Sequence, residues 1–102
     1  MRVILFVRAK SSLQTAQLER RVVERKPQFA QVPGLIQKVY GRHPATGDWC
    51  GIHLIKDGES MGRFRQSALA RTIGSACEAT EVRPEVLELQ SLLHPERGPP
   101  VQ

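Results

Sequence analysis

The sequence predicts an α+β domain with the order β-α-β-β-α-β, in which two helices cover one face of a four-stranded antiparallel sheet. Three observations support this prediction. Residues 3–7 form a run that is apolar on both faces, as in a central strand. Residues with helical spacing follow this run and recur after residue 57. Between them, two short runs flank Pro44-Ala-Thr-Gly47, whose residues are typical of a tight turn.

The first strand is predicted at residues 2–8 and the first helix at residues 13–24. Ser11 or Ser12 is expected to cap this helix, because a hydroxyl oxygen accepts a hydrogen bond from a free amide of the first turn. Pro27 is expected to end or kink the helix, because proline lacks the amide hydrogen that the helix needs.

Residues 35–43 and 49–56 are predicted to form a hairpin whose turn is flanked by His43 and Asp48. Alternation divides its side chains into two sets, which a one-residue slip in the turn would exchange between the faces. The nearly all-apolar set is predicted to pack against the helices: Leu35, Val39, Gly41, Cys50, Ile52 and Leu54. The mixed set is predicted to lie on the open face: Ile36, Lys38, Tyr40, Arg42, Trp49, Gly51, His53 and Ile55.

Asp57 is predicted to cap a second helical region, with Glu59 in its first turn and Gly74 at its end. Residues 78–89 are predicted to form a fourth strand. Pro84 indicates that this strand is an edge strand, contains a bulge or breaks in two. Right-handed crossovers place the first and third strands in the centre of the sheet.

The 102 residues are expected to form one domain at residues 1–92, followed by a flexible tail at residues 93–102. The net charge of +5 is scattered, without the basic runs or interleaved aromatic residues typical of nucleic-acid binding. No apolar stretch approaches the ~20 residues of a membrane span. Cys50 and Cys77 stand alone, as is typical of free thiols in a reducing compartment. We therefore expect a cytoplasmic protein that binds neither nucleic acid nor membrane.

The mixed set of the hairpin also predicts a partner. As a monomer, the predicted open face would expose Ile36, Tyr40, Trp49 and Ile55. An apolar patch of this size on a sheet is usually an interface. The sequence therefore predicts a homodimer in which the open sheet faces pack together.

Several segments together resemble a known family. They are Pro33-Gly34-Leu35-Ile-x-Lys38-Val39-Tyr40, Pro44-x-Thr46-Gly47, Gly51-Ile52-x-Leu54 and Asp57-x-Glu59-Ser60 with Phe64. In this order they resemble the YdhR-type proteins, which are assigned by analogy to the monooxygenases. These are similar to the antibiotic-biosynthesis monooxygenases, which are dimeric α/β barrels built from ferredoxin-like protomers. The resemblance covers roughly residues 2–89 and implies the same fold.

The resemblance also implies a reaction, namely the oxidation of aromatic polyketide substrates by O₂ without metal or flavin. Other proteins of this fold are isomerases, dechlorinating enzymes or haem-degrading enzymes, so the fold does not fix the function. The sequence departs from the quinone-forming members because it contains no Asn to hold a substrate oxygen. Tyr40 stands where Trp is frequent, and His53 stands where Tyr is common.

The candidate site residues follow from their chemistry. His53 is the predicted base and Tyr40 the predicted hydrogen-bond donor to the resulting anion. Arg42 or Lys38 could stabilise that anion. The predicted substrate-binding residues are Trp49, Arg42, Met61 and Phe64. Together with these residues, the resemblance implies a cofactor-independent, metal-free monooxygenase acting on a small aromatic or polyketide-like substrate. The alternatives are a non-catalytic ligand-binding or structural dimer and a cofactor-free isomerase.

Overall fold

The computed structural model describes residues 1–93 and has the ferredoxin-like fold. Its sheet is antiparallel, in the order β2-β3-β1-β4, and is not closed into a barrel. The helices cover one face, as predicted. The predicted tail lies outside the described residues except for its first residue. The elements are β1 Val3–Ser11, α1 Thr15–Ala30, β2 Leu35–Arg42, β3 Trp49–Ile55, α2 Gly58–Gln66, α3 Ala68–Arg71, α4 Ile73–Ala76 and β4 Ala79–Glu88.

Helix α1 differs from its prediction at both ends. It begins after Gln14, whose amide donates to Gln17 Oε1 over 3.0 Å, so neither predicted serine caps it. Ser11 Oγ instead donates to the carbonyl of Cys77 over 2.6 Å and fastens the end of β1 near the start of β4. The helix also continues through Pro27 to Ala30. The last turn carries the buried ring of Phe29, so its packing against the sheet offsets the hydrogen bond that Pro27 cannot donate.

The hairpin turn has the predicted register. The His43 amide donates to the Asp48 carbonyl, and the Gly47 amide donates to the His43 carbonyl, each over 2.8 Å. Gly47 has a φ of 75°, which glycine adopts without steric cost. The two predicted sets alternate as expected except at the start of β2, where a bulge between Leu35 and Gln37 brings Leu35 opposite Ile55.

The assignment of these sets to the two faces was wrong. Trp49, His53 and Ile55 are buried beneath the helices, whereas Val39 is 45% exposed on the open face. The space between the sheet and the helices requires large rings, and Phe29 and Phe64 supply the complementary surface. The mixed set therefore belongs largely to the core, and the smaller apolar set lies largely on the open face. The start of β2 is the exception, because Leu35 packs against the core and Ile36 is exposed, as predicted.

The region after Asp57 contains three helices, and Gly74, predicted to end it, lies inside the last of them. The cap is as predicted, since the Ser60 amide donates to Asp57 Oδ1 over 2.8 Å. The chain leaves helical geometry at Ser67, whose side chain accepts a hydrogen bond from the Ala70 amide and starts α3. Met61 and Phe64 are buried in the core.

Strand β4 is continuous and lies at the edge of the sheet. Of the alternatives predicted from Pro84, the edge strand is confirmed and the break is absent. Pro84 lies opposite Val7 in an outer strand that can leave one amide position unused. The irregularity occurs instead at Glu81, which has a φ of 52°, beside a shift of register between Arg8 and Lys10.

Candidate functional site

The candidate site lies on the helix-facing side of the β2–β3 hairpin. The register places Lys38 opposite His53 and Tyr40 opposite Gly51. Gly51 leaves space for its neighbours, because a Cβ atom there would lie 3.3 Å from both the His53 and Trp49 rings and 3.5 Å from Lys38 Cε. Lys38 can therefore lie across the strand, so that its amine is held close to the aromatic side chains.

His53 is the most deeply buried of the candidates, with no exposed surface. Its Nδ1 donates to the Leu5 carbonyl over 3.0 Å, which leaves Nε2 as the acceptor of the neutral ring. Nε2 has no hydrogen-bond partner within residues 1–93. Burial, followed by the charge of Lys38, lowers the pKa of His53 to about 4, although the Leu5 hydrogen bond opposes this shift.

Lys38 lies among aromatic rings. Its Nζ is 3.3 Å from the ring centre of Phe29, 4.6 Å from that of Tyr40 and 5.8 Å from that of Trp49. Burial, followed by the charge of Arg25, lowers the pKa of Lys38 from 10.5 to about 7. Lys38 therefore loses its proton near neutral pH, whereas an ordinary lysine remains protonated there.

Tyr40 and Trp49 form the wall between the surface and the cluster of buried side chains around Lys38 and His53. Their ring centres are 6.5 Å apart. Tyr40 is half-buried, and burial raises its pKa, so its hydroxyl remains protonated and can donate. Trp49 is 4% exposed, and its Nε1 has no partner among the described residues. A buried donor without a partner is costly, by about 1–3 kcal/mol, and is a feature of functional sites.

Two cavities meet at this wall. A groove of about 390 Å³ runs between α1 and the β2 edge, and it is lined by Val22, Val23, Lys26, Tyr40, Gly41, Arg42 and Trp49 together with Thr15, Leu18 and Glu19. Its volume falls within the roughly 300–1,000 Å³ of small-molecule sites. Behind the wall, a void of about 10 Å³ is lined by Lys38, Phe29, Arg25 and Cys77, among others. Val22, Tyr40 and Trp49 line both cavities.

The other predicted site residues occupy different positions. Arg42 is exposed at the outer end of the groove, where its guanidinium donates to the Gly47 carbonyl over 3.0 Å and to Thr15 Oγ1. Phe64 lies behind the site, with its ring centre 5.3 Å from that of His53. Met61 is core and is not part of the lining of the cavities described for residues 1–93.

The sequence did not point to three residues of the cluster around Lys38, and it did not indicate the role of Lys38 itself. Arg25, Phe29 and Cys77 were not identified, and Lys38 was considered only as an anion-stabilising alternative. One signal was available for Arg25 and Phe29. They are four residues apart on α1, so one face of the helix carries both. The position of Cys77 depends on the irregular segment between α4 and β4, for which the sequence offers no periodic signal.

A second, larger cleft of about 540 Å³ opens at the turn end of the sheet and is lined largely by charged residues. Arg8 pairs there with Asp48 over 2.7 Å, and Lys10 with Glu81 over 3.4 Å. Four of its charged groups thus already have charged partners, and the aromatic groove is the better candidate for a small aromatic ligand. Within residues 1–93, no group of His, Cys, Asp and Glu is arranged to hold a metal ion, and no helix is long and apolar enough to cross a membrane.

Comparison with known proteins gives matches at the level of structure. No sequence-family model and no curated protein sequence matches the chain. SnoaB, a cofactor-independent oxygenase from Streptomyces nogalater, is similar with a TM-score of 0.72 and 15% identity, over 90% of this chain and 96% of that one. A dimeric ferredoxin-like protein of unknown function from Thermobifida fusca gives 0.69 and 10%, over 87% and 92%. A protein from Bordetella bronchiseptica, provisionally an antibiotic biosynthesis monooxygenase, gives 0.69 and 18%, over 90% and 98%.

These similarities confirm, for the fold, the resemblance to the antibiotic-biosynthesis monooxygenases predicted from the sequence. Each similar structure is covered over more than nine-tenths of its length. The chain therefore contains the whole fold of these proteins. Identities of 10–18% show the fold alone, and the reaction must be argued from the site.

Proposed function

We propose that this protein is a cofactor-independent monooxygenase that acts on a small aromatic or polyketide-like substrate bound in the groove between α1 and β2. The observation that carries the proposal is the pair of unpartnered buried nitrogens, Trp49 Nε1 and His53 Nε2, on the strand behind the groove. The fold shared with SnoaB supports this reaction class. Tyr40 and Trp49 offer aromatic surfaces on which a planar substrate can stack.

The reaction begins with the loss of an acidic proton from the substrate. A nitrogen base takes the proton, and the Tyr40 hydroxyl donates to the oxygen of the resulting enolate or phenolate. The anion then reduces O₂ directly. For an anthrone-type substrate, the reactive CH₂ group becomes C=O, one oxygen atom enters the product and the other leaves as water. Two groups of the cluster can act as the base, namely His53 Nε2, as the sequence predicts, and Lys38 Nζ.

A homodimer and a cytoplasmic location belong to the same proposal. The open face presents Ile4, Phe6, Val39, Ile52 and Leu87, which are exposed or half-buried. Because the predicted face assignment was wrong, Trp49 and His53 do not belong to the interface proposed now. Both cysteines are free thiols, as in proteins of reducing compartments.

A non-catalytic ligand-binding dimer is the second candidate, and one observation favours it. The void beside Lys38 is only about 10 Å³, so the groove does not reach the basic groups in this conformation. Catalysis requires the side chains that separate groove and void to move. Ligand binding in the groove alone does not.

Oxygen uptake with an anthrone tests the proposal, with an enzyme-free blank for spontaneous oxidation. We expect oxygen uptake above the blank. The substrate should also quench, saturably, the fluorescence of Trp49, the only tryptophan of the chain. Val23→Phe should fill the groove and raise KM at least ~10-fold, whereas Gln28→Phe, on the same helix but outside the groove, should not. Quenching without oxygen uptake would instead support the binding protein. Turnover without uptake would support the isomerase.

A further inference from the structure

We infer that Lys38, and not His53, accepts the substrate proton, from a position inside a box of the aromatic rings of Phe29, Tyr40 and Trp49. The inference rests on the proposed function and names the base of that site. It changes the role predicted from the sequence, which gave Lys38 no part in proton transfer.

The geometry of the box favours a neutral amine. The amine is 3.3 Å from the centre of the Phe29 ring, and the rings of Tyr40 and Trp49 take the place of much of its water. Rings attract an ammonium ion and so offset part of the loss of water, but they provide no full counter-charge. No Asp or Glu of the described residues lines the void beside this amine. A lysine without water or a carboxylate is poorly stabilised in its charged form.

The charges around the box act in the same direction. Arg21 and Arg25 of α1 line the void, and the charge of Arg25 lowers the pKa of Lys38. From the α4 side, Cys77 is the one group that opposes this shift, but burial raises the pKa of its thiol, so it remains uncharged near neutral pH. His53, opposite Lys38 on β3, is neutral at that pH as well. The pKa of about 7 thus has identifiable structural causes.

His53 is less suitable as the base. It is fully buried, its Nδ1 is hydrogen-bonded to the Leu5 carbonyl, and its ring lies beside those of Phe29 and Phe64. With a pKa of about 4 it is a weak proton acceptor near pH 7. Lys38 lies nearer the ligand, because Tyr40 and Trp49 line both the groove and the void beside it. Proton transfer to Lys38 requires the side chains that line both cavities, Val22, Tyr40 and Trp49, to move so that the substrate reaches the amine.

The step is balanced as a proton transfer. The Nζ lone pair of Lys38 forms an N–H bond as the acidic C–H or O–H bond of the substrate breaks, and the substrate keeps the electron pair. The carbanion carbon then bonds to O₂, which is reduced to a peroxide, and the ammonium returns its proton to the outer peroxide oxygen. When that carbon loses its second hydrogen as a proton, the C=O bond forms, the O–O bond breaks, and the outer oxygen leaves with both protons as water. The Lys38 amine thus serves as the base in one step and as the acid in a later step.

The experiment measures kcat and KM for anthrone oxidation across pH in wild type, Lys38→Met, Lys38→Arg and Lys56→Met. Lys38→Met keeps roughly the length of the side chain but lacks the amine. Lys38→Arg stays charged over the whole pH range of the experiment. We expect both to lose at least ~100-fold in kcat. Lys56, exposed and outside the lining of both the groove and the void, is the matched control and should change kcat little. The wild-type kcat should rise with pH and level off above the pKa of about 7.

A carbon-13 NMR titration of the lysine Cε atoms gives a readout that does not depend on turnover, with the Lys38 signal assigned by its loss in Lys38→Met. A midpoint near 7 supports the inference, and a midpoint near 10.5 overturns it even if the enzyme is active. Turnover of Lys38→Met within threefold of wild type also overturns it, while the proposed function stands. If anthrone quenches the Trp49 fluorescence of wild type but no oxygen is consumed, the proposed function is overturned. The assignment of Lys38 as its base is then overturned as well.

Discussion

Lys38 and His53 are two basic side chains held side by side without a carboxylate between them. Each is desolvated by the aromatic core, and the charge of Lys38 lowers the pKa of His53. Side chains of this kind are seldom kept for stability alone, because an apolar pair would avoid the cost of burying them. Perturbed pKa values together with a groove are typical of a functional site.

The buried imidazole makes stability depend on pH. The pKa of His53 in the folded protein, about 4, is below the value of 6.5 expected when unfolded, so the unfolded chain binds more protons between these values. The contribution of neutral His53 to the free energy of unfolding is therefore complete above pH 6.5 and is lost as the pH falls towards 4. We expect wild type to lose about 2 kcal/mol more than His53→Gln in the free energy of unfolding between pH 7.5 and 5.0.

Urea unfolding monitored by circular dichroism at the two pH values measures this difference. Glutamine is uncharged throughout and can still donate to the Leu5 carbonyl. The other titrating groups are common to both proteins, so their contributions largely cancel in the comparison. Equal losses in both proteins would mean that His53 is not desolvated as the structure shows.

The cluster was partly predictable at the residue scale. Alternation along the hairpin placed Lys38, Tyr40, Trp49 and His53 in one set, which is the set that forms the site. The protonation state of Lys38 was not predictable, because it depends on Phe29 and on charges supplied by α1. These residues come close only after the helix has packed on the sheet.

At the scale of elements, the approach of β2 to α2 depends on a glycine. Gly34 has a φ of 83°, and a Cβ atom there would lie 2.5 Å from Ser60 Oγ. Its carbonyl accepts a hydrogen bond from the Lys56 amide over 2.8 Å, which joins the ends of the two hairpin strands. The Pro-Gly entry to β2 thus sets the distance between the hairpin and the helix that follows it.

Gly34→Ala is expected to lower the free energy of unfolding by about 2 kcal/mol or more, through the unfavourable φ and the collision with Ser60. Gly58→Ala is the matched control, because a Cβ atom at Gly58 meets no atom within 4 Å. It should stay within about 0.5 kcal/mol of wild type. Thermal and urea unfolding of both variants checks the prediction. Equal stability of the two would rule out the close approach.

The ends of helices and turns were predicted well where the residues at that point alone determine them. Asp57 caps α2, and Gly47 closes the hairpin turn, as expected. The prediction was wrong where packing overrides a local preference, since α1 continues past Pro27 because the buried Phe29 lies in its last turn. The division of the second helical region at Ser67 had no sequence signal that we recognised.

On the scale of the whole molecule, the open face provides a test of the proposed dimer. Val86 and Leu87 are neighbours on β4 with nearly equal exposure, 46% and 45%, and they lie on opposite faces of the sheet. Leu87, opposite Ile4, lies on the open face. Leu87→Arg should convert the dimer to a monomer, because the interface would have to bury a charge, whereas Val86→Arg should leave it dimeric.

Light scattering after size-exclusion chromatography reports the mass of each variant over a range of concentrations. Wild type at the mass of one chain at all concentrations would refute the dimer. Dissociation by both substitutions would place the interface elsewhere.

The face that the helices cover could not be predicted from alternation. Crossover handedness fixes the side of the sheet on which the helices lie, but β1 is apolar on both faces and so does not indicate which of its side chains point there. Counting apolar residues in the hairpin then favoured the wrong set. The deciding information is the size of the rings that fill the space under α1, which is a property of tertiary packing.

The pairing of Val3 with Glu88 also has a kinetic consequence. The β2–β3 hairpin closes across a short turn, and its loop-closure entropy is small, whereas the β1–β4 ladder joins distant parts of the chain. Contacts so far apart in sequence form late and slow the folding of a domain. The hairpin that carries Lys38 and Tyr40 can thus form early, while the outer strand is added last. During folding, the edge of β1 remains without its neighbour and is the point most open to mispairing with another chain.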